Sequence, residues 1–232
     1  MPTKIDVLTP IHKGVRSMIY ALGGELQSTD FRDPAQTAAV VRQIQHEFGP
    51  ALQSNCILCL LHQHGGDEEK FAFPRMAEFE PALIEHLLAA HRELGRQLEG
   101  LTALGTAVER STEPDERVRR GAELNRVANA FFAAYLAHMN EEEQRLVPAM
   151  AARLSDEEVV GLRARTQASM PPDRLAEFLG WTLASLSAPE LEELVRGLQR
   201  GAPPEALRAM LALAESKVPP ARWAAVKSRV SL

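Results

Sequence analysis

The apolar positions along this chain fall at helical spacing, in long runs punctuated by proline and glycine. Val15, Ile19 and Leu22 share one face, and Leu94, Leu98 and Leu101 share another. The first run predicts a helix that starts near Thr9-Pro10, with a proline at the first helical position, and ends near Gly23-Gly24. A second helical region starts after Asp33-Pro34, meets a break or kink at Gly49-Pro50 and continues to Pro74. A third spans Pro81 to Leu104, and a fourth Asp115 to Met150. Four long amphipathic helices with modest connections predict an all-α protein, an antiparallel up-down four-helix bundle over residues 1–153. Beyond Leu154 the punctuation tightens to Ser155-Asp156, Pro171-Pro172, Pro189, Pro203-Pro204 and Pro219-Pro220, each a place where a short helix can begin. Residues 154–232 therefore read as a C-terminal extension of four or five short helices, with Leu175, Phe178, Leu179, Leu183 and Leu186 forming an apolar stripe.

Composition agrees with the pattern. Aromatic residues make up 5% of the 232 positions and β-branched runs are almost absent, which favours helix. A net charge of -5 with intermixed signs leaves no basic stripe for a phosphate backbone, so nucleic acid is not an expected partner. Met1 to Pro10 has no apolar core for a signal peptide, and no stretch approaches the roughly 20 apolar residues of a membrane span. The expected location is the cytoplasm. Cys56 and Cys59 form a C-x-x-C in an apolar run, compatible with a redox pair or, if His62 joined them, a zinc half-site. With no second C-x-x-C and no strand ahead of it, the pair reads as small, reduced residues of the core or helix surface.

One feature adds chemistry to the helices. His64-x-x-x-Glu68-Glu69-x-x-x-x-Pro74-x-Met76 returns as His138-x-x-x-Glu142-Glu143-x-x-x-x-Pro148-x-Met150, every position displaced by 74 residues. At 100° per residue His64 and Glu68 lie about 40° apart, on the stripe of Ile57, Leu60, Leu61 and Phe71. Glu69 lies about 140° from His64, toward solvent or the helix edge. The same geometry turns Glu142 inward rather than Glu143, because Phe131, Ala134 and Tyr135 share the face of His138. His62 falls on the side opposite His64. Two buried carboxylates are costly unless a cation or donors compensate, and an ion ligated by both does so.

Further imidazoles come from the first and third helices. His91 is followed by apolar residues at the same three offsets as His12, and it shares a stripe with Ile84 and Leu87. His86 stands one full repeat after His12 but projects about 140° from His91. His91 is the favoured ligand, with His86 as a second ligand or a supporting donor. His46, before Phe48-Gly49-Pro50, belongs to neither pattern. Imidazole with carboxylate suits iron, manganese or zinc.

The order His, HxxxE before a proline, His, HxxxE before a proline resembles the hemerythrin-like HHE cation-binding family over residues 5 to 153. That resemblance implies a bundle holding two iron ions in a non-haem diiron centre, bridged by Glu68 and Glu142. His12 and His64 would serve one iron, His91 or His86 with His138 the other. Departures from the oxygen carriers are His86 and His91 five residues apart, where those proteins have two His one turn apart, and a final carboxylate four rather than five residues after its His. Gly65-Gly66 inside the first HxxxE weakens the helix by about 1 kcal/mol per glycine, and a kink or π-bulge there would shift the ligand to Glu69. The implied function is binding of a small diatomic or peroxide ligand, as carrier, sensor or stress-response factor. A diiron peroxidase or oxidase is the second reading, with Tyr135 placed to donate a hydrogen bond to bound oxygen or to pack in the core. A helical interaction module, dimerising through the C-terminal helices, is the third.

Overall fold

The structure is a computed structural model that describes residues 5–45 and 56–230. His46 and the break expected at Gly49-Pro50 lie outside them. Every element among the described residues is helical. The order is α1 (Thr9–Ser28), α2 (Pro34–Ile44), α3 (Ile57–Asp67), α4 (Phe73–Ala77), α5 (Pro81–Glu109), α6 (Pro114–Glu141), α7 (Val147–Arg153), α8 (Asp156–Ser169), α9 (Pro172–Ser185), α10 (Ala188–Gly201), α11 (Pro204–Lys217) and α12 (Pro220–Val230). Two π-helical segments, Glu68–Ala72 and Glu142–Leu146, join α3 to α4 and α6 to α7 without interrupting the helical path. No helix among the described residues is long and apolar enough to cross a membrane.

Two helices outrun their expected ends, for the same reason. α1 passes through Gly23-Gly24 because Leu22 and Leu26 continue its buried face and Gly23 lies against the Phe132 ring. α5 passes Leu104 because Gly105 lets Ile44 and Val41 of α2 approach, and Val108 is buried one turn later. Each glycine costs about 1 kcal/mol of helix propensity, and the buried apolar neighbours offset it. Elsewhere local signals decide. Asp33 caps α2, its carboxylate accepting from the amides of Ala35 and Gln36. All five helices of the extension begin where Ser-Asp or proline predicts, and α10 adds a capping box between Ser187 and Glu190.

The chain divides into two compact units. The first comprises Met1–Leu8 and Met18–Ser169, the second Thr9–Ser17 and Met170–Leu232. α8, which the sequence groups with the C-terminal extension, thus clusters with the first unit, and the N-terminal half of α1 clusters with the second. In the first unit α5 and α6 pack along their lengths as a helical hairpin across a short connection, and α2 packs on α5. Arg117 ties that connection down, donating to the carbonyls of Ser111, Phe31 and Arg32. Below the two π-helical segments an apolar cluster gathers Phe73, Met76, Ile84, Leu87, Leu146 and Met150 with Val159 and Leu162 of α8. Both methionines of the 74-residue repeat are in it. In the second unit Leu183, Leu186, Leu191, Val195, Trp223 and Val226 form the core. Gly14 of α1 sits so close to Thr182 that a Cβ there would lie 2.9 Å from its amide nitrogen, and Ser185 bonds Ser17 at 2.8 Å.

Candidate metal centre

Each HxxxE ends a helix at a widened turn. Regular α-helix would require the residue four after Lys70 and after Gln144 to donate, but those residues are Pro74 and Pro148. The backbone instead closes the longer i→i+5 ring, Phe73 N–H to Glu68 O and Val147 N–H to Glu142 O. The widening starts at the inward carboxylate in both copies. It does not turn Glu69 inward: Glu68 is 5% exposed and the Glu69 side chain 46%.

Within the first unit four side chains meet, Glu68, His91, His138 and Glu142, each offering a ligand atom within 4.8 Å of the others. The imidazoles present their Nε2 atoms to the carboxylates. His64 Nε2 lies 3.4 Å from Glu68 Oε1, and His91 Nε2 lies 3.6 Å from Glu68 Oε2 and 3.7 Å from Glu142 Oε1. His138 Nε2 lies 3.1 Å from Glu142 Oε1. The result is an alternating row, His64, Glu68, His91, Glu142, His138. Its ends come from the two repeats and its centre from α5. Although His138 Nε2 is near a carboxylate oxygen, the alignment is not that of a hydrogen bond, and neither ring nitrogen of His138 makes one. Such polar atoms in an apolar interior are costly as they stand, and a cation among them is the compensation that fits this donor set.

His91 is held from outside the row. Its Nδ1 lies 2.9 Å from Glu69 Oε1, so an Nδ1–H donated to Glu69 leaves the Nε2 lone pair facing Glu68 and Glu142. Burial works against a charged His91 ring, but Glu142, Glu68 and Glu69 outweigh it and raise its pKa above the ordinary value. Phe73 packs on one side of the imidazole, 5.1 Å between ring centres, and His138 meets it edge-on at 4.6 Å. Gly65 faces the same ring: a methyl there would touch Cε1 at 3.5 Å, so a longer side chain displaces the imidazole.

Two other candidate imidazoles, His86 and His62, fall elsewhere. His86 does not join the row; its side chain is 54% exposed and bonds Glu141 at 2.9 Å. The 74-residue repeat therefore points to the exposed imidazole of α5, and the apolar stripe to the buried one. His12 is fully buried on α1, in the segment that clusters with the second unit. His62 is exposed. Tyr135 is buried, but its hydroxyl donates to the Leu61 carbonyl at 2.9 Å. Burial and then the charges of Glu68 and Glu142 push its pKa well above the ordinary value, so it keeps that proton. Glu69 as the partner of His91 was hidden in the sequence; helical geometry places it at the helix edge without saying which ring comes to meet it. Cys56 and Cys59 are buried, as expected of core residues, but they form a disulfide rather than standing reduced.

Comparison with known families gives the geometry a context. The hemerythrin HHE cation-binding domain model matches residues 3–150. The chain belongs to that family. It is 32% identical over 97 residues to zinc finger protein BRUTUS of Arabidopsis thaliana, a match that covers 42% of this chain and 8% of that much longer relative. No solved structure matches. A family defined by cation binding and a buried row of imidazoles and carboxylates agree on metal as the ligand class.

Proposed function

We propose that this chain holds a non-haem diiron centre that binds a small oxidant or diatomic molecule, oxygen, nitric oxide or peroxide, as a carrier, sensor or stress-response factor. The observation that carries the reading is the convergence of three Nε2 atoms on two buried carboxylates. Glu68 and Glu142 each neighbour two imidazoles, which is the disposition of a carboxylate that bridges two ions. In this reading His64 serves one iron, His91 and His138 the other, on an antiparallel up-down four-helix bundle. Bound iron supplies open coordination positions for the small ligand. The protein's own residues exclude water around it, fix the tautomer of His91 through Glu69 and hold the Tyr135 hydroxyl as a donor to the Leu61 carbonyl.

The binding reading stands ahead of a peroxidase or oxidase because the one phenol near the row has its proton committed to a backbone carbonyl. Manganese and zinc satisfy the same ligand types, and metal analysis separates them from iron. Protein purified without chelator is expected to contain two irons per chain and to show an absorption spectrum that disappears in the double variant His64→Ala, His138→Ala. Stopped-flow mixing of the reduced protein with oxygen and with peroxide is expected to give a reversible adduct. Rapid turnover makes it an enzyme, and absence of any bound transition metal overturns the proposal.

A further inference from the structure

We propose that Cys56 and Cys59 form a reversible dithiol–disulfide site at the head of α3, which exchanges with thiols of low molecular weight. The pair lies at the N-terminus of the 11-residue helix that carries His64 and Glu68, and its sulfurs are bonded to each other. Among the described residues neither cysteine joins a group of three metal-ligating side chains, so thiol chemistry rather than a zinc site is left to it.

Three features make the bond reversible rather than a simple staple. The crosslink spans a sequence separation of 3, a loop too short to restrain the unfolded chain as a longer bridge does. Cys56 Sγ is the N-cap of α3 and accepts from the amide of Cys59 at 3.2 Å, where the positive end of the helix favours a thiolate. Both sulfurs also lie near one backbone acceptor, 3.2 Å for Cys56 and 3.8 Å for Cys59 from the carbonyl oxygen of Gln45, which comes directly after α2. A disulfide has no proton to give that oxygen, whereas a dithiol has two. The oxidised state is closed by the S–S bond, and the reduced state finds an amide donor for a thiolate and a carbonyl for a thiol.

In the oxidising direction the Cys56 thiolate attacks one sulfur of an external disulfide, forms a mixed disulfide and expels one thiolate. Cys59 then gives up its proton, attacks Cys56 Sγ and expels the second. Two protein thiols are oxidised and one external disulfide becomes two thiols. Reduction is the reverse. Cys56 is the entry point, since it keeps the little solvent contact the pair has while Cys59 is fully enclosed. This chemistry does not depend on the metal reading.

The test uses the full chain, with and without metal, equilibrated in buffers of glutathione and glutathione disulfide at graded ratios. Samples are quenched in acid, alkylated with a maleimide and weighed. The expected result is a single transition between zero and two labelled cysteines that tracks the square of the glutathione concentration over that of its disulfide. Cys59→Ser is expected to capture one glutathione at least about ten-fold faster than Cys56→Ser, reflecting the N-cap thiolate. Labelling that appears only after unfolding would make the bond a structural staple and overturn the proposal. Two labels at every ratio would overturn it as well, as would equal capture rates in the two variants. Circular dichroism checks that both variants fold, and the wild-type titration decides the matter if one does not.

Discussion

Glu142 comes after a 28-residue helix, α6, which buries Phe131, Tyr135 and Met139 in its last turns. Glu68 comes after an 11-residue helix, α3, that starts at a sulfur cap and contains Gly65-Gly66. The same ligand spacing, proline and widened turn are therefore carried by two unlike supports. On α6 a long helix holds the carboxylate. On α3 one of the two glycines that weaken the helix, Gly65, also opens the space into which His91 leans. The contrast sharpens one residue earlier. Asp67 and Glu141 occupy equivalent places in the repeat. Burial foremost raises Asp67, to about 6. Burial also acts to raise Glu141, but hydrogen bonds from His86 and Arg145 outweigh it and the net shift is downward. A duplicated sequence pattern has preserved the ligands and backbone geometry but not the electrostatic surroundings.

The harshest test of equivalence removes the carboxylates. Glu68→Ala and Glu142→Ala each delete a group that neighbours two imidazoles, and each is expected to lower bound metal by at least half, measured by elemental analysis. Full metal in either variant would show that one arm alone suffices. Next is Asp67→Asn. A carboxyl whose folded pKa is raised from 3.8 to about 6 binds its proton more tightly when folded, so its contribution to stability falls as pH rises through that window. The variant is expected to stabilise metal-free protein at pH 7 by about 2 to 3 kcal/mol and to give no gain below about pH 4, by urea unfolding. An equal gain at both pH values would mean that titration is not the cause.

Smaller still is Glu69→Ala, which frees the His91 ring while leaving every member of the row. Metal affinity is expected to fall roughly 10- to 100-fold, with Glu69→Gln keeping part of it. Unchanged affinity in a competition titration removes Glu69 from the site. Glu141→Gln should matter least. Its lowered pKa gives stability that is present above the ordinary carboxylate range and lost as pH falls through the folded value. The ion pair with His86 is largely exposed, so the loss at pH 7 is expected to stay below about 0.5 kcal/mol.

Much of the molecule was readable from spacing. The starts of α9 to α12 are set by prolines, whose fixed φ and missing donor act locally. Helical rotation picked the inward carboxylate of each Glu-Glu pair, and the apolar stripe of α5 separated His91 from His86. What escaped depends on neighbours distant in sequence. The ends of α1 and α5 hinge on Phe132 and on Ile44 packing against glycines. Glu69 meets His91 from another helix, Tyr135 reaches Leu61 in the opposite repeat, and a local pattern contains none of those partners.

The two widened turns give this chain a local tolerance to changes in length. Each holds one residue more than an α-turn would. The wider ring absorbs that residue, so removing one restores the regular count and leaves the helices on either side in nearly the same rotational step. Removing a residue from the regular helix before the turn instead rotates everything downstream by about 100°. Phe73 and Met76, or Leu146 and Met150, would then swing out of their shared core. In a deletion scan the two segments should appear as narrow permissive windows, 74 positions apart, inside helices that otherwise reject deletions.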